Sequence, residues 1–310
     1  MGVLSGKKLG FVFPGQGSQA VGMARDLVQN CASSARLFEQ AEAICGAGFT
    51  ALCFDGPEEE LTRTINTQPA LYVASAAALA AVSEAGYQPS VTAGHSVGEY
   101  AALYAAGAFS FEDGLKLVRA RAELMNRAAE SNPGGMAAIV GLAGEKVKEA
   151  VARAADAGVV VAANFNSPVQ TVISGERDAV KRACEIASEM GARRAIPLAV
   201  SGGFHSPLMR EASDGLAEML SLAPISDTHI PVVANVTAEP ETASAQIREN
   251  LASQLTGSVR WVECVEKMVS MGVETFVEVG PGTVLAGLIK KIVADAEVVS
   301  VGDWPAVQAI

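Results

Sequence analysis

The segment VTAGHSVGEYAALYAAGAF, residues 91–109, decides the fold. Val91-Thr92-Ala93 is a short strand-like run, and the Ala-rich stretch from Val97 to Ala106 reads as a helix. Between them Gly94-His95-Ser96-Val97-Gly98 matches G-x-S-x-G, a sharp strand-to-helix turn that pushes a serine side chain outward. The helix N-terminus just beyond it offers backbone N–H groups and positive dipole to a developing oxyanion. Ser96 is therefore a candidate nucleophile; the plainer reading is a glycine-rich turn with an incidental serine.

Outward from this segment, short apolar runs alternate with helical patterns, the signature of an α/β fold. Leu9 to Phe13 reads as a first strand, and Ile230 to Val236, Val273 to Val279 and Val298 to Val301 as later ones. Helices are expected over Val21 to Gln29, Gln68 to Ser83 and Glu112 to about Ala129. The middle differs: MAAIVGL, EKVKEAVARAA, VVVAAN, QTVISG, ERDAVKRACEIASEM and RRAIPL follow one another as βαββαβ, the ferredoxin-like order. With Glu130–Gly135 as a linker-like entrance and Gly202-Gly203 after the exit, residues 130–199 are expected to be a small subdomain inserted into a larger α/β domain of residues 1–129 and 200–310.

Composition narrows the function. The 310 residues are 50% hydrophobic and 18% charged, enough to bury a sizeable core and too apolar for a disordered chain. The formal net charge of −11 argues against nucleic acid or an anionic membrane as the main partner. Five scattered cysteines without CxxC spacing, and three histidines, indicate neither a disulfide framework nor a metal site. Free thiols fit a reducing cytoplasm, and the apolar run Leu71 to Val82 is too short to span a bilayer.

A serine nucleophile needs a base. Of the histidines, His95 adjoins Ser96 on a tight turn and His229 sits in a loop-like stretch. His205 precedes a helix with Ser206 as N-cap and Pro207 in its first position, a setting that disfavours imidazolium. A histidine merely preceding a helix remains the alternative. Arg121 lies between Leu117, Val118, Leu124 and Met125 at helical spacing, on the apolar face of its helix. An unpaired cation there is expensive. It is either a structural ion pair, a snorkelling stem, or a fork awaiting an anionic ligand.

With these pieces in place the chain resembles the malonyl-CoA:acyl-carrier-protein transacylase family of fatty acid and polyketide synthesis. The resemblance rests on Phe13-Pro-Gly-Gln16-Gly-Ser-Gln19, Gln68-Pro69-Ala70, Gly94-His-Ser-Val-Gly-Glu-Tyr100, Gly135-Met-Ala-Ala138, Asn164-Phe-Asn-Ser-Pro168, Phe204-His205, Gln254-Leu-Thr-Gly-Ser-Val-Arg-Trp261 and Glu278-Val-Gly-Pro-Gly282. It implies a hydrolase-like α/β domain with a mostly parallel sheet and an inserted ferredoxin-like subdomain. It also implies Ser96 as acyl carrier, His205 as base, Gln16 and Val97 as oxyanion-hole donors, and the Gln254 carbonyl as the group that orients the histidine. Arg121 would grip the malonyl carboxylate, with Gln68, Phe204, Met125 and Asn166 on the substrate side. Malonyl-CoA and acyl carrier protein would be substrates, no cofactor or metal would be needed, and a bulky Phe204 would favour malonyl over methylmalonyl. Since carrier proteins of this family are acidic, Lys181-Arg182, Arg193-Arg194 and Lys290-Lys291 are candidate docking clusters. Gly203 departs from the family, where proline is expected.

Three other readings compete. Gly15-Gln-Gly17-Ser-Gln-Ala20 also fits G-x-G-x-x-A of dinucleotide-binding enzymes, but Ser33 to Ile44 reads as a helix where the acid-ending second strand should come. A serine esterase or thioesterase would not need Arg121. An idle carrier-binding module would not need Ser96, His205 and Arg121 together.

Overall fold

Leu9–Phe13 (β1) pairs in parallel with both Val91–Gly94 (β2) and a strand from near the C-terminus, so distant parts of the chain meet at its centre. The structure, a computed structural model, describes residues 4–310. Its remaining strands are Gly135–Val140 (β3), Val160–Ser167 (β4), Gln170–Gly175 (β5), Arg194–Pro197 (β6), Val232–Val233 (β7), Pro240–Glu241 (β8), Thr275–Val279 (β9) and Glu297–Val301 (β10). Six of these form one sheet in the order β10-β9-β1-β2-β7-β8, parallel throughout except for the β7–β8 hairpin.

Why β1 is central follows from its composition. All five residues of LGFVF are buried, as expected of a parallel strand with helices on both faces. Phe11 and Phe13 join the core beneath the helices Thr64–Glu84, Gly98–Ala105 and Phe111–Ser131. Val12, pointing the other way, joins Trp261, Met268, Leu285 and Ile289 of the helices Trp261–Ser270 and Val284–Ile292.

The second sheet, β4-β5-β3-β6, is antiparallel throughout and carries the helices Gly144–Arg153 and Arg177–Glu189 over a core of its own that includes Ile139, Val147, Ile173 and Ile186. Chain order and strand order together are ferredoxin-like. Its two connections to the main sheet touch: Pro133 bridges Gly202, and a Cβ on Gly134 would lie 2.6 Å from the Gly203 nitrogen. A second seam joins β4 to the main body, where the Phe165 N–H donates to the Val259 carbonyl at 2.9 Å and Val259 N–H to Ala163 at 2.8 Å.

Three elements differ from the sequence reading. The helix expected over Val21 to Gln29 begins only at Arg25, because Gly22 (φ 91°) and Ala24 (φ 61°) take left-handed conformations that interrupt it. The helix expected from Gln68 starts at Thr64 and carries Pro69 within it; the Thr67 hydroxyl bonds the Leu61 carbonyl at 2.5 Å and anchors the extra turn. At 21 residues it is long and apolar enough to cross a membrane, yet it is mostly buried inside the protein. Ile230 to Val236 yields a strand of two residues, since the chain turns at Ala234–Ala238 and releases Asn235 from the sheet. The G-x-G-x-x-A stretch opens no helix, and Ala32–Cys45 is helical, so the geometry of a dinucleotide-binding turn is not formed.

Candidate active site

The turn at the carboxyl end of β2 holds Ser96 at φ 53°, a left-handed conformation rarely taken by residues other than glycine. Two glycines make it possible. A Cβ on Gly94 would lie 2.0 Å from the Gly98 carbonyl carbon, and one on Gly98 would lie 2.2 Å from the Phe13 carbonyl oxygen. Asn235 braces the turn from below: its Oδ1 accepts the Ser96 N–H at 2.8 Å and its Nδ2 donates to the Gly94 carbonyl at 2.7 Å.

Ser96 Oγ lies 2.8 Å from His205 Nε2, and His205 Nδ1 lies 2.8 Å from the Gln254 carbonyl. A carbonyl only accepts, so Nδ1 carries the proton and the Nε2 lone pair faces the serine. His205 is buried and also left-handed, at φ 55°. Its loop is fastened by Ser206, which caps the turn Pro207–Met209 through the Leu208 N–H and donates to the Gly203 carbonyl at 2.5 Å. A Cβ at Gly203 would stand 2.9 Å from Leu208 Cδ1, so glycine here leaves room for that leucine. Burial first, then the charge of Arg121, pushes His205 down to about 3, which keeps the ring neutral.

Arg121 is 1% exposed. One terminal nitrogen donates to Gln68 Oε1 at 2.5 Å; the other donates to Gln254 Oε1 at 2.8 Å and to Ser96 Oγ at 3.1 Å. Among the described residues no carboxylate forms an ion pair with it. The structural ion pair left open by the sequence is thus not formed, and a buried cation with neutral partners stands beside the serine.

These groups open into a cavity of about 160 Å³. Gln16, Gln68, Ser96, Val97, Arg121, Met125, Asn166, Phe204 and His205 all line it; of the residues singled out from sequence, only Gln254 stands behind the wall. The N–H groups of Gln16 and Val97 have no protein acceptor among the described residues. The loop carrying Gln16 comes so close to the turn that a Cβ on Gly15 would lie 2.4 Å from the His95 carbonyl oxygen. Sequence reasoning gave no role to His95, whose Nε2 pairs with Asn166 Oδ1 at 2.8 Å, nor to Asn235 and Glu99. It also missed the apolar wall of Met136, Val172 and Leu198 contributed by the second sheet. Glu99 lay within a quoted motif; Asn235 carried no signal, since it fell inside the strand expected over Ile230 to Val236. No group of three or more His, Cys, Asp or Glu among the described residues is placed to hold a metal ion.

The acyl transferase domain family matches residues 10–304. The malonyl CoA-acyl carrier protein transacylase of Bacillus subtilis is 46% identical over 96% of this chain and 94% of its own length. The crystal structure of an acyl carrier protein S-malonyltransferase from Vibrio cholerae superposes with a TM-score of 0.94 at 46% identity, covering 97% of this chain and 99% of that one. A malonyl-transacylase solved in complex with a type II PKS acyl-carrier protein does so with a TM-score of 0.94 at 42% identity, covering 97% and 98%. A match of this extent, at this identity, around a site of this geometry means that the chain belongs to the acyl transferase family, among the malonyl CoA-acyl carrier protein transacylases.

Proposed function

We propose that this protein transfers a malonyl group from malonyl-CoA to the phosphopantetheine thiol of an acyl carrier protein through a malonyl-Ser96 intermediate, serving fatty acid or polyketide synthesis in the cytoplasm without cofactor or metal. The observation that carries the reading is Arg121: a buried cation with only neutral partners, 3.1 Å from Ser96 Oγ, fits an acyl group that brings its own carboxylate. An esterase of neutral substrates would have no use for it.

Ser96 attacks the thioester carbonyl while His205 Nε2 takes its proton and returns it to the leaving CoA thiolate. The carrier thiol then gives its proton to His205 and attacks the acyl-serine, and the serine oxygen leaves with that proton. The N–H groups of Gln16 and Val97 stabilise the oxyanion in both steps. Gln68 and Met125 shape the Arg121 end of the pocket, Asn166 the opposite wall, and Phe204 crowds an α-methyl group. Residues 130–199, as a subdomain, close the cleft over the acyl chain. The exposed pairs Lys181-Arg182, Arg193-Arg194 and Lys290-Lys291 supply local positive charge for an acidic carrier. Incubation with malonyl-CoA followed by intact mass and peptide fragmentation should place one malonyl group on Ser96; an unmodified serine defeats the reading.

Two further results are expected. Gly15→Val, which drives a side chain into the His95 carbonyl and displaces the Gln16 N–H, should slow transfer by about a hundredfold or more, the scale for one oxyanion donor. A near-wild-type rate would remove Gln16 from the oxyanion hole. Second, adduct formation should show no limb near the ordinary imidazole value of 6.5, because the fold holds His205 neutral down to about 3. The same shift makes stability fall as pH drops from 6.5 toward about 3, since the unfolded chain takes up the proton first; above 6.5 the contribution is complete. A rate limb at 6.5 would show His205 titrating freely.

A further inference from the structure

Beneath the site lies a buried carboxyl that the reaction does not use. Glu99 follows the nucleophile turn and is completely buried. Its Oε2 accepts the Asn235 N–H at 3.0 Å and the Gln254 side-chain Nε2 at 2.8 Å; its Oε1 has no partner. The Gln254 amide stands between Glu99 and Arg121. Arginine can only donate, so the amide oxygen must face Arg121, at 2.8 Å, and the amide nitrogen must face Glu99. That nitrogen also donates to the Ser96 carbonyl at 3.1 Å.

We propose that Glu99 is a positioning residue for acyl selectivity: it fixes the Gln254 amide as a neutral spacer, which aims Arg121 with no carboxylate bonded to it. This rests on the transfer reading above. The geometry supports it in two ways. A carboxylate placed directly on Arg121 would neutralise the guanidinium and compete with the acyl carboxylate; an amide in that position aligns it and leaves the charge in place. And Glu99 has a second buried carboxyl nearby, Glu241, whose Oε2 accepts from Asn250 Nδ2 at 2.6 Å and whose Oε1 is also unpartnered. Burial and the Glu241 charge hold Glu99 well above the ordinary carboxylate range, with Arg121, Tyr100 and Cys264 the other titratable groups around it.

The test inverts the usual notion of a conservative change. Glu99→Gln cannot ionise but keeps one oxygen able to accept both N–H groups. Glu99→Asp keeps the acid but draws it back by one bond, about 1.5 Å, out of reach of Gln254. Initial rates with malonyl-CoA and acetyl-CoA are measured for both variants and for wild type, with intact mass of the wild-type adduct alongside. Glu99→Gln is expected to retain malonyl transfer within about twofold, since its hydrogen bonds are conserved. Glu99→Asp is expected to lose malonyl transfer by about tenfold or more, the scale of a buried partner left unpaired, with acetyl transfer falling less so that the malonyl-to-acetyl ratio drops. A purely structural role would lower both substrates together and leave the ratio unchanged, which overturns the proposal. So does Glu99→Gln falling as far as Glu99→Asp, because the charge would then matter. If wild type itself forms no malonyl adduct, the transfer reading fails, a result distinct from either.

Discussion

Ser96→Ala is expected to form no acyl adduct with malonyl-CoA and to transfer malonyl about a million-fold more slowly than wild type, the scale on which a serine–histidine pair loses its nucleophile. The loss should be clean because the turn does not depend on the hydroxyl. The Ser96 N–H is held by Asn235 Oδ1, and the flanking glycines set the left-handed backbone, so alanine inherits the same conformation. The variant should therefore match wild type in circular dichroism and thermal midpoint. A malonyl adduct on a folded Ser96→Ala protein would mean that another nucleophile carries the acyl group.

Arg121→Ala is expected to lower malonyl transfer by about two to three orders of magnitude, corresponding to the ~3–5 kcal/mol lost when a buried charge pair is broken from one side. Acetyl transfer, which brings no carboxylate, should fall far less or rise. The asymmetry follows from the partners of Arg121 in the site: Gln68, Gln254 and Ser96 are all neutral, so removing the guanidinium strands no acidic residue. Parallel initial rates with the two acyl-CoAs decide the matter. An equal fall for both would make the arginine a structural element.

How far the sequence reached depended on whether the information was local. The strand–turn–helix around Ser96 was legible because its glycines, its serine and its flanking periodicities lie within twenty residues of one another. The βαββαβ order of the second sheet was legible for the same reason, each element carrying its own period. Arg121 stood out by its place on an apolar helix face, but whether a carboxylate met it there depended on residues 53 and 133 positions away. Asn235 and Glu99 were unreadable as a pair. Asn235 is reached only because its strand ends after two residues, and Glu99 has the composition of an ordinary exposed helix residue in its first turn. The missing strand length near Ile230 and the hidden Asn235 are therefore one misreading: the backbone that should have continued the sheet instead serves the site.

The two sheets contribute unlike things to one cleft. Ser96, His205, Arg121 and the Gln16 loop come from the body built on β1 and β2, whereas Met136, Val172 and Leu198 come from β3, β5 and the segment after β6. The reacting groups and an apolar part of the pocket wall thus come from separate stretches of chain. Lineages could rewrite the second stretch, and so the shape of acyl chain accepted, without disturbing a single hydrogen bond among Ser96, His205, Arg121 and Gln254. For an engineer, residues 136–198 are the place to diversify, and the nucleophile turn is the place to leave alone.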